Sequence, residues 1–286
     1  MGYKFSFVCN YELVGFCMDI VGLNADTVVE YNNFKYHKIE LIDFHLCDQY
    51  LKYLKESKDI LCQSCIINVL DNEGISIGEY SVYVEKYLKY DELKEIREHQ
   101  NLTLICSLNY VAVGNEVKLW DKWRCSKPNK TNEWATLNDE DRKAWLNVVM
   151  KYHFGYKRSY YDPYENISGE TYYLDGRNIT TFESFFCALG EAINGPGGYY
   201  GFDESNILDC LTGGFRVCHP FKLVWKNSTV ALMNLTKQEW ENQIKREKER
   251  YSRIFEDYPD SKPNQSFFSK IIVIFLDHGI TLELVP

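Results

Sequence analysis

The sequence predicts an α/β domain at the C-terminal end of the chain, residues 170–286, preceded by an α+β domain, residues 1–155. Three observations predict it. Beyond residue 170 the hydrophobic pattern runs strand, helix, helix, strand, helix, strand, which implies parallel pairing covered by helices. Before residue 155, hairpin and strand signals are interrupted by two helical stretches. Between these regions, residues 156–169 are tyrosine-rich, charged and turn-prone, with Asp162-Pro163 and Ile167-Ser-Gly169 and no sustained period, so they read as a linker.

In the first region, Phe5-Ser-Phe-Val-Cys9 reads as an opening strand. Ile66–Leu70 and Ile75–Val84 are strand-like runs joined by Asp71-Asn-Glu-Gly74, a turn composition that predicts a hairpin. Tyr50–Leu54 and Tyr87–Ile96 carry apolar residues at helical spacing, and Leu102–Val113 reads as a strand. Asn138, followed by acids in a first turn and then Trp145, Val148, Val149 and Tyr152, marks a helix start. Trp120, Trp123 and Trp134 sit in a polar stretch and suit either a binding surface or a small core.

The second region opens with the strand Thr171–Leu174 and a turn at Asp175-Gly176. Thr180 or Thr181 caps a helix with Phe182, Phe185, Phe186 and Leu189 on one face, broken by Gly195–Gly198. Asp203 or Ser205 starts the next helix, which Gly213-Gly214 ends where left-handed backbone is needed. Phe221–Trp225 is a strand. Thr236-Lys-Gln-Glu239 is a capping box opening a long helix that carries Trp240, Ile244, Tyr251, Ile254, Phe255 and Tyr258. The apolar run Ile271–Leu276 suits a final buried strand and is far short of the ~20 residues a membrane span requires.

Charge narrows the partner. Against 41 acidic side chains stand 32 basic ones, a formal charge of −9, which disfavours nucleic acid and anionic lipid as direct partners and favours a basic protein. From Asn178 to Phe215 there is no lysine or arginine, while Glu183, Glu191, Asp203, Glu204 and Asp209 fall inside, so that segment reads as an address for a cation.

The N-terminus has no apolar core or cleavage site of a secretory signal; Gly2 and Ser6 match the loose myristoylation pattern, but the stretch reads better as a strand. Ten scattered cysteines lack the spacing of a disulfide scaffold and read as mostly buried thiols of a cytoplasmic protein. Cys62-Gln-Ser-Cys65 has no second metal-ligand pair at the right spacing.

No nucleotide-binding glycine loop, Gly-x-Ser-x-Gly or His-Glu-x-x-His is present, and His37, His45, His99, His153, His219 and His278 are isolated in sequence. Binding rather than catalysis is expected, without cofactor, metal or small-molecule ligand.

Asp175-Gly176 after a strand, Tyr199-Tyr-Gly201, Asp209-Cys-Leu-Thr-Gly213, Pro220 and Trp225 resemble the barstar family of intracellular ribonuclease inhibitors, over about residues 170–286. The resemblance implies a three-stranded parallel sheet with helices, in which the second helix and the loop before it plug the active site of a ribonuclease. It implies that Asp209 occupies the enzyme's phosphate site and that Tyr199 packs on a catalytic histidine. Partner contacts implied alongside them are Gly201, Asp203, Glu204, Ser205, Leu208, Thr212, Gly213 and Gly214, with Glu256 or Asp257 of the last helix adding an acid. Ser205, Leu208 and Gly214 depart from the family pattern, which points to a divergent toxin. Two functions follow: an immunity protein for a basic toxin, or a barstar-like module that regulates an endogenous partner.

Overall fold

The computed structural model describes residues 2–56, 64–85, 93–96, 100–159, 166–251 and 264–286, with the backbone alone for 156–159 and 246–251. The chain groups into two compact units: Met1–Lys127 with Lys151–Tyr161, and Pro128–Met150 with Asp162–Pro286. Residues 128–150, placed with the first domain by sequence, thus group with the second unit, and much of the expected linker lies outside the described residues.

The first unit holds β1 (Phe5–Cys9), β2 (Glu12–Cys17), β3 (Asp19–Val21), β4 (Val28–Tyr31), β5 (Phe34–Leu46), α1 (Asp48–Glu56), β6 (Ser64–Leu70), β7 (Ser76–Val84), β8 (Gln100–Leu108) and α2 (Glu116–Trp123). Six of its strands run in the order β2-β1-β6-β7-β8-β5, and β5 returns to β2 through Gly15↔Leu46 and Phe16↔His45. The result is a closed antiparallel barrel with β3 and β4 attached to β5. Closure leaves the six strands without open edges. Alternating residues such as Phe5 and Phe7 on β1, Ile39 and Leu41 on β5, and Ile67 and Val69 on β6 are buried.

The predicted hairpin is β6–β7, where the Asp71 side chain accepts hydrogen bonds from the Glu73 and Ile75 N–H groups at 2.9 and 2.8 Å. Tyr50–Leu54 lies in α1, and the expected strand Leu102–Val113 ends early, at Leu108. The helix expected over Tyr87–Ile96 falls largely outside the described residues, as does Cys62. Cys9 and Cys65 are corrected from thiols to a disulfide, because they face each other in register across β1 and β6 with their Cα atoms 4.3 Å apart. Most of the other described cysteines are buried, and burial pushes Cys17 and Cys106 up to about 12, the state of inert structural thiols.

Trp120 and Trp123 belong to the core, being 1 % and 4 % exposed on α2. Trp120 donates its indole N–H to Tyr80 Oη at 3.0 Å, Tyr80 donates to Glu116 Oε1 at 2.6 Å, and the Lys151 ammonium pairs with the same carboxylate. Burial, and then the neighbouring Glu116 carboxylate, hold the Tyr80 hydroxyl well above its ordinary range, so it remains a donor.

In the second unit, helix α3 (Asp139–Ser159) starts as predicted, with Asn138 Oδ1 accepting from Asp141 N–H at 2.9 Å; its residues from Lys151 onward group with the first unit. There follow β9 (Thr171–Asp175), α4 (Phe182–Asn194), α5 (Glu204–Thr212), β10 (Lys222–Lys226), α6 (Ser228–Asn234), α7 (Lys237–Tyr251), α8 (Phe267–Asp277) and β11 (Thr281–Leu284). The sheet is three-stranded and wholly parallel, in the order β11-β10-β9. Thr181 caps α4 in a capping box with Ser184, and Thr236 Oγ1 accepts from Glu239 N–H at 3.2 Å to open α7.

Ile271–Leu276, expected as the last strand, is instead part of α8. The helix begins earlier, at a Ser266 cap, and buries Phe267, Phe268, Ile271, Ile274 and Phe275 at helical spacing. Residues Ile254, Phe255 and Tyr258 of the predicted long helix lie outside the described residues. On the packed side of the sheet, the Trp225 ring packs at a tilt against Phe185 and Phe268, at ring separations of 5.5 and 5.3 Å.

The Tyr80–Glu116–Lys151 group predicts a large cost for breaking it on one side. Lys151→Met leaves the Glu116 carboxylate buried without its counter-charge and should destabilise the protein by about 3–5 kcal/mol in urea unfolding; a loss under ~1 kcal/mol would mean that solvent reaches Glu116.

Candidate functional site

The candidate site is built on α5 and the loop before it. Close backbone approach fixes where the loop runs: a Cβ on Gly190 would lie 2.2 Å from the Gly198 carbonyl oxygen, so α4 can lie against the 195–200 turn only through a glycine. Gly201 then turns with φ +87° beside the Ile207 backbone, where any side chain would be strained. Two buried tyrosines tie the loop to the helix. Tyr199, 2 % exposed, donates to Asn206 Oδ1 at 2.9 Å and lies 5.8 Å from the Phe215 ring. Tyr200, fully buried, has its hydroxyl within 3.3 Å of the Cys210 carbonyl and 3.1 Å of the Val217 carbonyl.

Asp203 is the N-cap of α5. Its Oδ1 accepts from the Asn206 N–H at 2.7 Å and from the Asn206 side-chain amide at 2.8 Å. At the other end Gly213 and Gly214 take φ +123° and +84°, and Gly214 N–H donates to Asn166 Oδ1 at 2.9 Å. Ile207, Cys210 and Leu211 face inward, while Ser205, Asp209 and Thr212 are exposed and Leu208 half-buried. These four occupy positions i, i+3, i+4 and i+7, one face of the helix.

The five acids of the segment without basic residues prove unequal. Glu183 is 3 % exposed and 3.7 Å from Lys143 Nζ. Glu191 is 8 % exposed and accepts from the Asn132 N–H at 2.8 Å, with its carboxyl raised chiefly by burial. Asp203 is committed to the cap, and Glu204 pairs with Lys270 of α8 at 2.7 Å. The segment that carries no base in sequence is therefore not free of bases in space, which corrects its reading as an address for a cation built from all five acids. Asp209 alone among these acids is exposed without a side-chain hydrogen bond or ion pair among the described residues.

Of the residues expected at a partner interface, then, the fold brings Ser205, Leu208, Asp209, Thr212, Gly213 and Gly214 to one surface. Tyr199 and Gly201 lie inside, where they support the helix, and Asp203 and Glu204 are engaged within the chain. Glu256 and Asp257 lie outside the described residues. The helix before the last strand is α8, which carries an exposed acid, Asp277, at its end. Sequence reasoning missed Asn206 and Lys270. The Asp203-x-x-Asn206 spacing of a cap and its third helical residue could have signalled the first; nothing local signals the second, which is 66 positions from its partner.

His219 donates its backbone N–H to the Leu211 carbonyl, beside the end of α5, and its ring lies 6.5 Å from that of His278. Among the described residues no group of three or more His, Cys, Asp and Glu side chains is arranged to hold a metal, and no helix is long and apolar enough to cross a membrane. Comparison with protein-family models, curated proteins and solved structures found no match to the chain.

The division of labour among the acids predicts opposite outcomes for two substitutions. Asp203→Ala should cost about 1 kcal/mol of stability, the usual loss of a helix cap. Asp209→Ala should stay within ~0.5 kcal/mol of wild type, as a surface change with no side-chain partner among the described residues. Urea unfolding of both variants checks this, and an Asp209→Ala protein as destabilised as Asp203→Ala would place Asp209 inside the fold's own network.

Proposed function

We propose that this protein is an immunity protein: it binds and occludes the active site of a basic toxin, a ribonuclease, with the Asp209 carboxylate standing where the enzyme binds phosphate. The observation that carries this reading is the state of Asp209. It is a carboxylate exposed on a helix pinned at both ends, without a side-chain hydrogen bond or ion pair among the described residues, in a chain of net charge −9. A rigidly held carboxylate can accept charge-assisted hydrogen bonds from arginine or histidine donors without first giving up another partner. The barstar-like order of Tyr199, Asp209, Gly213 and Trp225 supports the same reading.

Around Asp209 the half-buried Leu208 supplies an apolar contact, and Ser205, Thr212 and the bare backbone of Gly213 and Gly214 allow close approach. Asp277 of α8 takes the role that the resemblance assigns to an acid of the last helix. Asp203 and Glu204 act within the protein, the first as cap and the second through Lys270. No nucleic acid, membrane, cofactor or small molecule enters this mechanism.

The cytoplasmic location belongs to the proposal as well. The Cys9–Cys65 disulfide is the observation that favours an oxidising compartment instead, and thiol titration of protein taken from its own cell separates the two.

Calorimetry against the cognate toxin tests the reading. Asp209→Ala should weaken binding by at least about 2 kcal/mol, ~30-fold, as expected for a central charged anchor. Binding within about threefold of wild type would reject the phosphate-mimic mechanism even if the two proteins still associate.

A further inference from the structure

Strand β9 is an edge. Among the described residues it pairs with β10 alone, and in a parallel pair only alternate residues of a strand address a given neighbour. Lys222 N–H donates to the Glu170 carbonyl and Lys222 pairs with Thr171, which sets the phase. Tyr172 and Leu174 bond β10, so Thr171 and Tyr173 turn their N–H and C=O groups to the free edge. Tyr173 is 59 % exposed.

Beside that edge lies a cavity of about 260 Å³, lined by Tyr173, Asp175, Asn132 and one face of α4, Ala188, Glu191 and Ala192. The two alanines leave room between helix and strand. Glu191 is more than nine-tenths buried; one oxygen accepts from Asn132, and the other, Oε1, has no hydrogen bond. The indole N–H of Trp134 and the backbone N–H of Gly197 are both near enough to favour the carboxylate, but Oε1 accepts a hydrogen bond from neither. Asp175 is already clasped by Arg177 through two N–H groups, and Lys226 sits over the Tyr173 ring at 5.0 Å. Among the described residues that line this groove, Glu191 therefore holds the carboxylate oxygen that accepts no hydrogen bond.

We infer that the groove binds an extended segment of a partner protein as a fourth strand on β9, with a lysine or arginine of that segment reaching Glu191. Free edge groups supply the main-chain ladder, as in other cases of strand addition, and the buried acid selects a cationic side chain. A second copy of this chain is a poor occupant, since its own edge, Thr171–Asp175, brings no cation. The site uses different residues from the Asp209 surface and stands whether or not the immunity reading does.

The test offers the immobilised full chain two degenerate libraries of end-blocked octapeptides, identical except for a central lysine or norleucine, and measures retention by mass spectrometry. Wild type should keep at least fivefold more of the lysine library. Glu191→Gln should bring that ratio to about one. Tyr173→Pro, which removes an outward N–H and leaves the ladder to β10 intact, should reduce both libraries to the level of bare resin while the thermal melt stays unchanged. Equal retention of the two libraries by wild type, or full retention by Tyr173→Pro, would overturn the proposal; so would a concentration-dependent dimer abolished by Tyr173→Pro, which would make the occupant a second copy. Should Glu191→Gln fail to fold, the library ratio and Tyr173→Pro still decide.

Discussion

The exposed face of α5 depends on two tyrosines that are not exposed at all. Tyr199 holds Asn206, which in turn donates twice to the Asp203 cap, and Tyr200 reaches the carbonyls of Cys210 and Val217. Both hydroxyls are buried, and a buried hydroxyl without a partner costs of order 1–3 kcal/mol. The loop therefore has little freedom to move without breaking bonds that cannot be replaced by water. That constraint turns a nine-residue helix, too short to be stable by itself, into a fixed platform.

Rigidity matters here because charge is scarce. Counting acids along the chain suggests a strongly negative segment, yet burial withdraws Glu183 and Glu191 from the surface, and the half-buried Asp203 and Glu204 are engaged within the chain as cap and ion pair. The proposed interface would gain its specificity from the placement of one carboxylate more than from a broad field. The other acids have structural uses of their own: Glu191 links α4 to the 131–134 segment, and Glu204 ties α5 to α8.

Local signals were readable in sequence wherever the structure is made locally. The caps at Asn138, Thr181, Asp203 and Thr236 and the Asp71–Gly74 turn all rest on bonds spanning five residues or fewer. The barrel was not readable, because its closure is the pairing of Gly15 and Phe16 with Leu46 and His45, about 30 positions away, and no local pattern encodes it. Ile271–Leu276 misled for a different reason: six apolar residues fit either a buried strand or a buried helix face. The preceding Ser266-Phe-Phe268 carries the deciding information, a cap followed by apolar residues that extend the run at helical rather than alternating spacing. At the site, the grouping of Ser205, Leu208, Asp209 and Thr212 follows from helical spacing alone, whereas the inward direction of Tyr199 depends on Phe215 and Asn206 and became visible only in the fold.

The proposed seat of the toxin is the α5 face, and hydrogen exchange of the full chain with and without the toxin that it binds would locate the contact. Binding at the α5 face should slow exchange mainly at residues 199–214 and the end of α8, with the amides of β1–β8 unchanged. Protection concentrated on the barrel strands, with residues 199–214 exchanging at the same rate in the complex as alone, would contradict it.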